Sequence, residues 1–84
     1  MQEVKFDEIR ELIGDVIGDQ ALVQQLTEQS ALLGAIPELD SMAVVNLLLG
    51  LEQRYGFFVD DDEVDVEIFE TIGSLRRFTQ SKIS

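Results

Sequence analysis

The chain contains no cysteine, histidine or tryptophan, and it has a single proline and a single tyrosine. The lack of cysteine rules out disulfides. Without cysteine and histidine there is also no thiol nucleophile, no imidazole for acid-base catalysis and no zinc site of the usual kind. These absences exclude most of the common enzyme mechanisms, which depend on one of these residues. The carboxylates, hydroxyls and basic groups that remain show no catalytic pairing motif.

Basic residues are also scarce. There are 6 Lys and Arg against 17 Asp and Glu, which gives a formal net charge of −11. This charge argues against nucleic-acid binding, and it either attracts basic protein surfaces or simply maintains solubility. No apolar run reaches the roughly 18 residues of a membrane span, and the N-terminus lacks the blocks of a signal peptide. We therefore expect a soluble, cytoplasmic, monomeric protein.

The 84 residues suffice for one domain, residues 1–84, with a mainly aliphatic core. Apolar residues at helical spacing predict a first amphipathic helix over Val4–Ile17, which Gly18 would end. Asp19 is placed to cap a short helical turn. The long connection that follows, up to Pro37, carries apolar groups that could hold it against the core: Leu32, Leu33 and Ile36.

The most apolar segment runs from Ser41 to Tyr55 and is predicted to be a helix that Gly56 ends. Two stripes are predicted on it. The inward stripe is Val44, Leu48, Leu51 and Tyr55. The opposite stripe, which is either a partner surface or packs under the long loop, is Met42, Asn46, Leu49 and Gln53.

The C-terminal third begins with Phe57–Val59, read as a loop packed on the core because no second strand pattern could pair with it. The acidic run 60–70 does not have the spacing of an EF-hand loop, so no metal site is predicted. A short third helix is expected over Val66–Phe69. Thr71 is expected to cap a last helix with Ile72, Leu75, Phe78 and Ile83 inward. The expected fold is all-α: a four-helix bundle with three longer helices, one short third helix and a long loop between the first two.

Ser41 can be interpreted in two ways. A serine at a helix start can cap the helix by accepting a backbone N–H. The same position suits a phosphate ester on the hydroxyl, because a helix N-terminus carries free N–H donors and partial positive charge. The residues around it leave both interpretations open.

In this order of elements the chain resembles the acyl carrier protein family along nearly its whole length. The resemblance rests on Leu39-Asp40-Ser41-Met42 opening the second long helix, Leu51-Glu52-Gln53-Arg54-Tyr55-Gly56 closing it, and Thr71-Ile72-Gly73 opening the last. It implies a carrier rather than an enzyme, with 4′-phosphopantetheine attached covalently to Ser41 and acyl groups held as thioesters on its thiol. Asp40 would help the transferase place its magnesium ion.

The resemblance also implies partners and an acyl pocket. The partners would be a phosphopantetheinyl transferase and the enzymes that load and transfer acyl groups in fatty acid, polyketide or related synthesis. An acyl chain would be sheltered by Val44, Leu48, Leu51 and Phe69. Partner contacts are expected at Met42, Val45, Asn46, Leu49 and Glu52.

The chain departs from many fatty-acid carriers at the docking positions of this helix. Only Glu52 is acidic there, whereas the others hold Ala43, Asn46, Gln53 and Arg54. Negative charge is concentrated in residues 60–70 instead. The segments 37–45 and 59–63 look like those of carriers associated with bacterial exosortase and exopolysaccharide gene clusters.

Two other functions stay open. The chain could be an unmodified acidic helical adaptor in which Ser41 only caps the helix and the apolar face binds a partner. It could also carry aminoacyl or peptidyl groups with the same arm. The sequence alone does not identify the cargo.

Overall fold

The computed structural model describes residues 3–32 and 34–84. These residues form four α-helices: α1 (Phe6–Ile17), α2 (Gln20–Val23), α3 (Ser41–Tyr55) and α4 (Ile72–Ile83). Two 3-10 turns, Asp61–Glu63 and Val66–Phe69, lie between α3 and α4. Within the described residues there is no strand, only an isolated antiparallel bridge between Ala31 and Thr71. The predicted all-α architecture is confirmed.

The first helix begins two residues later than predicted. Val4 lies before the helix and is fully buried, and its N–H donates to Gln80 Oε1 on α4 at 2.8 Å. This contact ties the start of the chain to the last helix. At its other end α1 stops at Gly18, which adopts a left-handed conformation with φ 73° that a glycine takes without steric cost. Asp19 then caps α2 as predicted, because its Oδ1 accepts the Leu22 N–H at 3.0 Å.

The long connection before α3 is held by buried side chains and by bonds to the start of α4. Leu32, Ile36 and Leu39 are buried, whereas the prediction for Leu33 lies outside the described residues. The Leu32 N–H donates to Glu70 O at 3.0 Å, and the Gly73 N–H donates to Glu28 O at 2.8 Å. The loop therefore reaches α3 along a fixed path.

The predicted bounds of α3 are confirmed, but its buried stripe differs from the predicted one in the first half of the helix. The buried residues are Ala43, Leu47, Leu51 and Tyr55. Val44 and Leu48 are only half-buried, so the inward stripe predicted through them is wrong at these two positions. The opposite stripe is exposed at Met42, Asn46, Leu49 and Gln53, as predicted.

The segment after α3 packs less completely than predicted. Val59 is buried and Phe57 half-buried, but Phe58 is 71% exposed, so the prediction that it packs on the core is wrong. The third helix is a 3-10 turn over the predicted residues.

Thr71 caps α4 as predicted, with its Oγ1 accepting the Ser74 N–H at 3.0 Å. Ile72 and Leu75 are buried, and Phe78 and Ile83 are half-buried.

In the part of the chain that the structure describes, no helix has both the length and the apolar character needed to cross a membrane.

Tyr55 links the end of α3 to α1, and its ionisation can be predicted. Its hydroxyl donates to Glu8 Oε1 at 3.1 Å. Burial, and then the nearby Glu8 carboxylate, raise the pKa of Tyr55 from 10.0 to about 12. Because the folded state favours the protonated phenol, its contribution to stability is complete below pH 10 and is lost as the pH rises toward 12.

This prediction can be read optically, since Tyr55 is the only tyrosine. Tyrosinate absorbance of the folded protein should show its midpoint near pH 12. The midpoint should fall in Glu8→Gln, and in denaturant it should return to about 10, the ordinary value for tyrosine. A folded protein that titrates near 10 and does not respond to Glu8→Gln would contradict the assignment.

Candidate functional site

Asp40 and Ser41 have different roles at the start of α3. Asp40 is the N-cap: its backbone is extended, and its Oδ1 accepts the Ala43 N–H at 2.9 Å. Ser41 is the first residue inside the helix, so the interpretation of Ser41 as the cap is wrong. Both side chains are exposed. Within the described residues the Ser41 hydroxyl makes no hydrogen bond, which leaves it free for chemistry.

Two grooves run along α3 from this point. The first, here called the near groove, has a volume of about 380 Å³ and is lined by Ser41, Val44, Val45, Val64, Asp65, Val66 and Phe69. The second, the far groove, has a volume of about 300 Å³ and is lined by Val44, Val45, Leu48, Leu49, Glu52, Val59 and Val64. Both are dominated by aliphatic side chains, so they suit an apolar guest.

The residues predicted to line an acyl pocket are distributed differently by the structure. Val44 lies on both grooves, Leu48 on the far groove and Phe69 on the near groove. Leu51 is fully buried in the core and lines neither of them. Val64, Val66 and Val59 line the grooves but were not singled out from the sequence. The alternation Val64-Asp65-Val66 within the acidic run was the available signal.

The outer wall of the grooves is the segment 59–66, and two polar contacts hold it. Glu52 Oε2 on α3 accepts the Val59 N–H at 2.8 Å. Glu63 Oε2 accepts from Lys82 Nζ on α4 at 2.6 Å. The hydrogen bond from Lys82 is the main cause that lowers the pKa of Glu63. Segment 59–66 is therefore anchored to two different helices.

The predicted partner residues lie on the exposed side of α3. Met42 is 72% exposed, and Val45, Leu49 and Asn46 are also exposed. Glu52 is half-buried and already holds the Val59 N–H, so its carboxylate has a structural contact besides any partner contact. The loops before and after α3 carry exposed acids: Glu38, Asp60, Asp62, Asp65 and Glu67. Of these, Asp65 lines the near groove together with Val45.

The order of helices, and a free serine at the head of a long helix beside an apolar groove, define a small helical carrier-protein fold. No family model matches the chain. The structure is similar to the solution NMR structure of a holo acyl carrier protein from Nitrosomonas europaea, with a TM-score of 0.85 and 47% sequence identity. That similarity covers 93% of this chain and 94% of the other.

The chain is also 29% identical over 75 residues to aminoacyl carrier protein 1 of Bradyrhizobium diazoefficiens, which covers 89% of this chain and 81% of that protein. The chain belongs to the acyl carrier protein family. The predicted resemblance is therefore confirmed. Both relatives are named as carriers, in agreement with the prediction that the chain is not an enzyme.

Proposed function

We propose that Ser41 carries a covalent 4′-phosphopantetheine arm, and that the chain, residues 1–84, acts as one carrier domain that holds acyl groups as thioesters on the arm's thiol. The observation that carries this proposal is the free Ser41 hydroxyl at the mouth of an apolar groove. The solved relative is a holo acyl carrier protein, and the holo form in this family implies phosphopantetheine.

The attachment reaction assigns a role to each residue of the pair. The Ser41 oxygen attacks the phosphorus of coenzyme A that bears the pantetheine arm, a new P–O bond forms, and the serine proton passes to a base of the transferase. The P–O bond to the nucleotide half breaks, and that half leaves with the electron pair. Asp40 keeps one carboxylate oxygen on the Ala43 N–H, and its other oxygen is available to help the transferase place magnesium. The helix N-terminus favours the resulting phosphodiester anion.

The partners follow from this role. They are a phosphopantetheinyl transferase and the enzymes that load and transfer the acyl group in fatty acid, polyketide or related synthesis, working in the cytoplasm. The apolar row Met42, Val45 and Leu49, with Asn46 and Glu52 beside it, is the proposed contact surface for them. Its exposure is what supports this role, because a contiguous exposed apolar patch on a soluble protein marks an interaction site.

The adaptor hypothesis is weakened by the geometry of the helix start. In that hypothesis Ser41 exists to cap α3, but Asp40 does the capping and Ser41 has no structural bond there. An aminoacyl cargo has more support, since one relative is named an aminoacyl carrier protein. Against it, a cargo ammonium would lose hydration in a groove whose lining is mostly valine, and only the Asp65 carboxylate could pair with it in the near groove.

The test is the intact mass of the protein after incubation with coenzyme A, magnesium and a broad-specificity phosphopantetheinyl transferase. The wild type and Ser81→Ala, which lacks another exposed serine, should each gain one phosphopantetheine. Ser41→Ala should gain none. Absence of the mass gain in the wild type, or an equal gain in Ser41→Ala, would refute the proposal.

A further inference from the structure

The near and far grooves share three valines that line both of them: Val44, Val45 and Val64. Val44 and Val45 belong to α3, near its start. Val64 faces them from the other wall and lies between the two 3-10 turns, outside any helix. It is 40% exposed, so its side chain is not locked in the core. Of the three residues, Val64 is the one whose displacement would join the two grooves.

The residue before Val64 is tied to α4. Glu63 is bonded to Lys82 of α4 at 2.6 Å, with both side chains partly shielded from solvent. On the other side of the first 3-10 turn, the Val59 N–H is bonded to Glu52. The ion pair to Lys82 therefore restrains the chain one residue before Val64.

We propose that Val64 is a specificity-determining residue for the length of the carried acyl chain, and that Lys82 is a positioning residue that holds Val64 through Glu63. This inference rests on the proposed carrier function. Because Ser41 lines the near groove, an arm attached there delivers the chain to the near groove first. Short chains fit within it, and longer chains reach the far groove only after Val64 moves away from Val44 and Val45.

The proposal predicts that protection of the thioester from cleavage does not increase evenly with the length of the acyl chain. Each methylene that leaves water stabilises the sheltered form of the acyl chain by about 0.8 kcal/mol. Hydroxylamine cleavage should therefore slow by up to about fourfold per sheltered methylene. In the wild type this gain should continue until the near groove is full and then stop at a plateau. Chains long enough to displace Val64 should regain protection.

The experiment loads the full chain with saturated acyl groups of increasing length, using acyl coenzyme A and the same transferase, and measures hydroxylamine cleavage for each. Intact mass confirms loading. In Val64→Ala the plateau should disappear, and in Val64→Phe it should begin at shorter chains. Lys82→Gln should resemble Val64→Ala, whereas Lys82→Arg should resemble the wild type. Arg77→Gln, which removes an exposed cation from the same helix, is the matched control and should leave the profile unchanged.

The outcomes separate the two proposals. If no chain is loaded on Ser41, the carrier function fails and this inference fails with it. If loading succeeds but both Val64 variants keep the wild-type profile, the inference alone is overturned. A purely structural role for Lys82 would change cleavage equally at all chain lengths, with a lower thermal midpoint. That uniform result in Lys82→Gln would overturn the role given to Lys82.

Discussion

Replacing Leu47 with alanine is expected to lower the free energy of unfolding by about 2–5 kcal/mol, the range for a large aliphatic side chain removed from a packed core. Leu47 is fully buried on the inward stripe of α3, and a cavity would remain where its side chain was. A domain of this size has a total stability of only about 4–13 kcal/mol. The loss should therefore be plain in urea denaturation followed by circular dichroism.

Leu49, on the same helix, provides the matched control because the same substitution is made on the opposite face. Its side chain is 49% exposed, so Leu49→Ala should cost much less, about 1 kcal/mol or below. Equal losses in the two variants would mean that Leu47 is no more buried than Leu49, which would contradict the assigned inward stripe. A larger loss in Leu49→Ala would reverse the assignment of the two faces.

The boundaries of the helices were predictable because they depend on local chemistry. Gly56 takes a left-handed conformation with φ 70° at the end of α3, and Thr71 accepts a backbone N–H at the start of α4. Both signals lie within a few residues of the boundary they mark. The start of α1 was predicted two residues early, because Val4 has the apolar character of a helical position but packs through a tertiary contact with α4.

The inward stripe of α3 was harder to predict because the helix is apolar nearly all round. If the face with the larger side chains is taken to be the buried one, the predicted inward stripe passes through Val44 and Leu48. The observed inward stripe passes through Ala43 and Leu47. Because Ala43 is small, the sequence gives little indication that this face is the buried one. Which face turns inward is decided by α1 and the long loop, and neither is local to α3.

The groove illustrates a second limit of sequence reasoning. Phe69 and Val44 could be proposed as lining residues from the family resemblance, but Val64 lies in an acidic run that reads as a solvated segment. It reaches α3 because Glu52 and Lys82, distant in sequence, hold the chain at two points just before it, at Val59 and at Glu63. Phe58 shows the converse, since it is an aromatic residue that no element covers among the described residues. Long-range polar contacts of this kind leave no periodic signal.

The remaining prediction separates the two residues at the head of α3, where the largest change in attachment is expected. Ser41→Ala should lose attachment completely, yet it should change the free energy of unfolding by no more than about 0.5 kcal/mol, because the hydroxyl makes no structural bond and alanine favours a helix. Asp40→Ala should lose about 1 kcal/mol with the cap.

Asp40→Asn distinguishes the capping role of this residue from its magnesium role. Asparagine caps a helix about as well as aspartate, so stability should be retained. Loss of the negative charge should still slow attachment, by about tenfold or more if the carboxylate supports the transferase's metal. Stability would be followed by urea denaturation and attachment by the rate of mass gain. If Asp40→Asn receives the arm at the wild-type rate, Asp40 only caps the helix and has no magnesium role. If Ser41→Ala loses much stability, Ser41 contributes to capping after all.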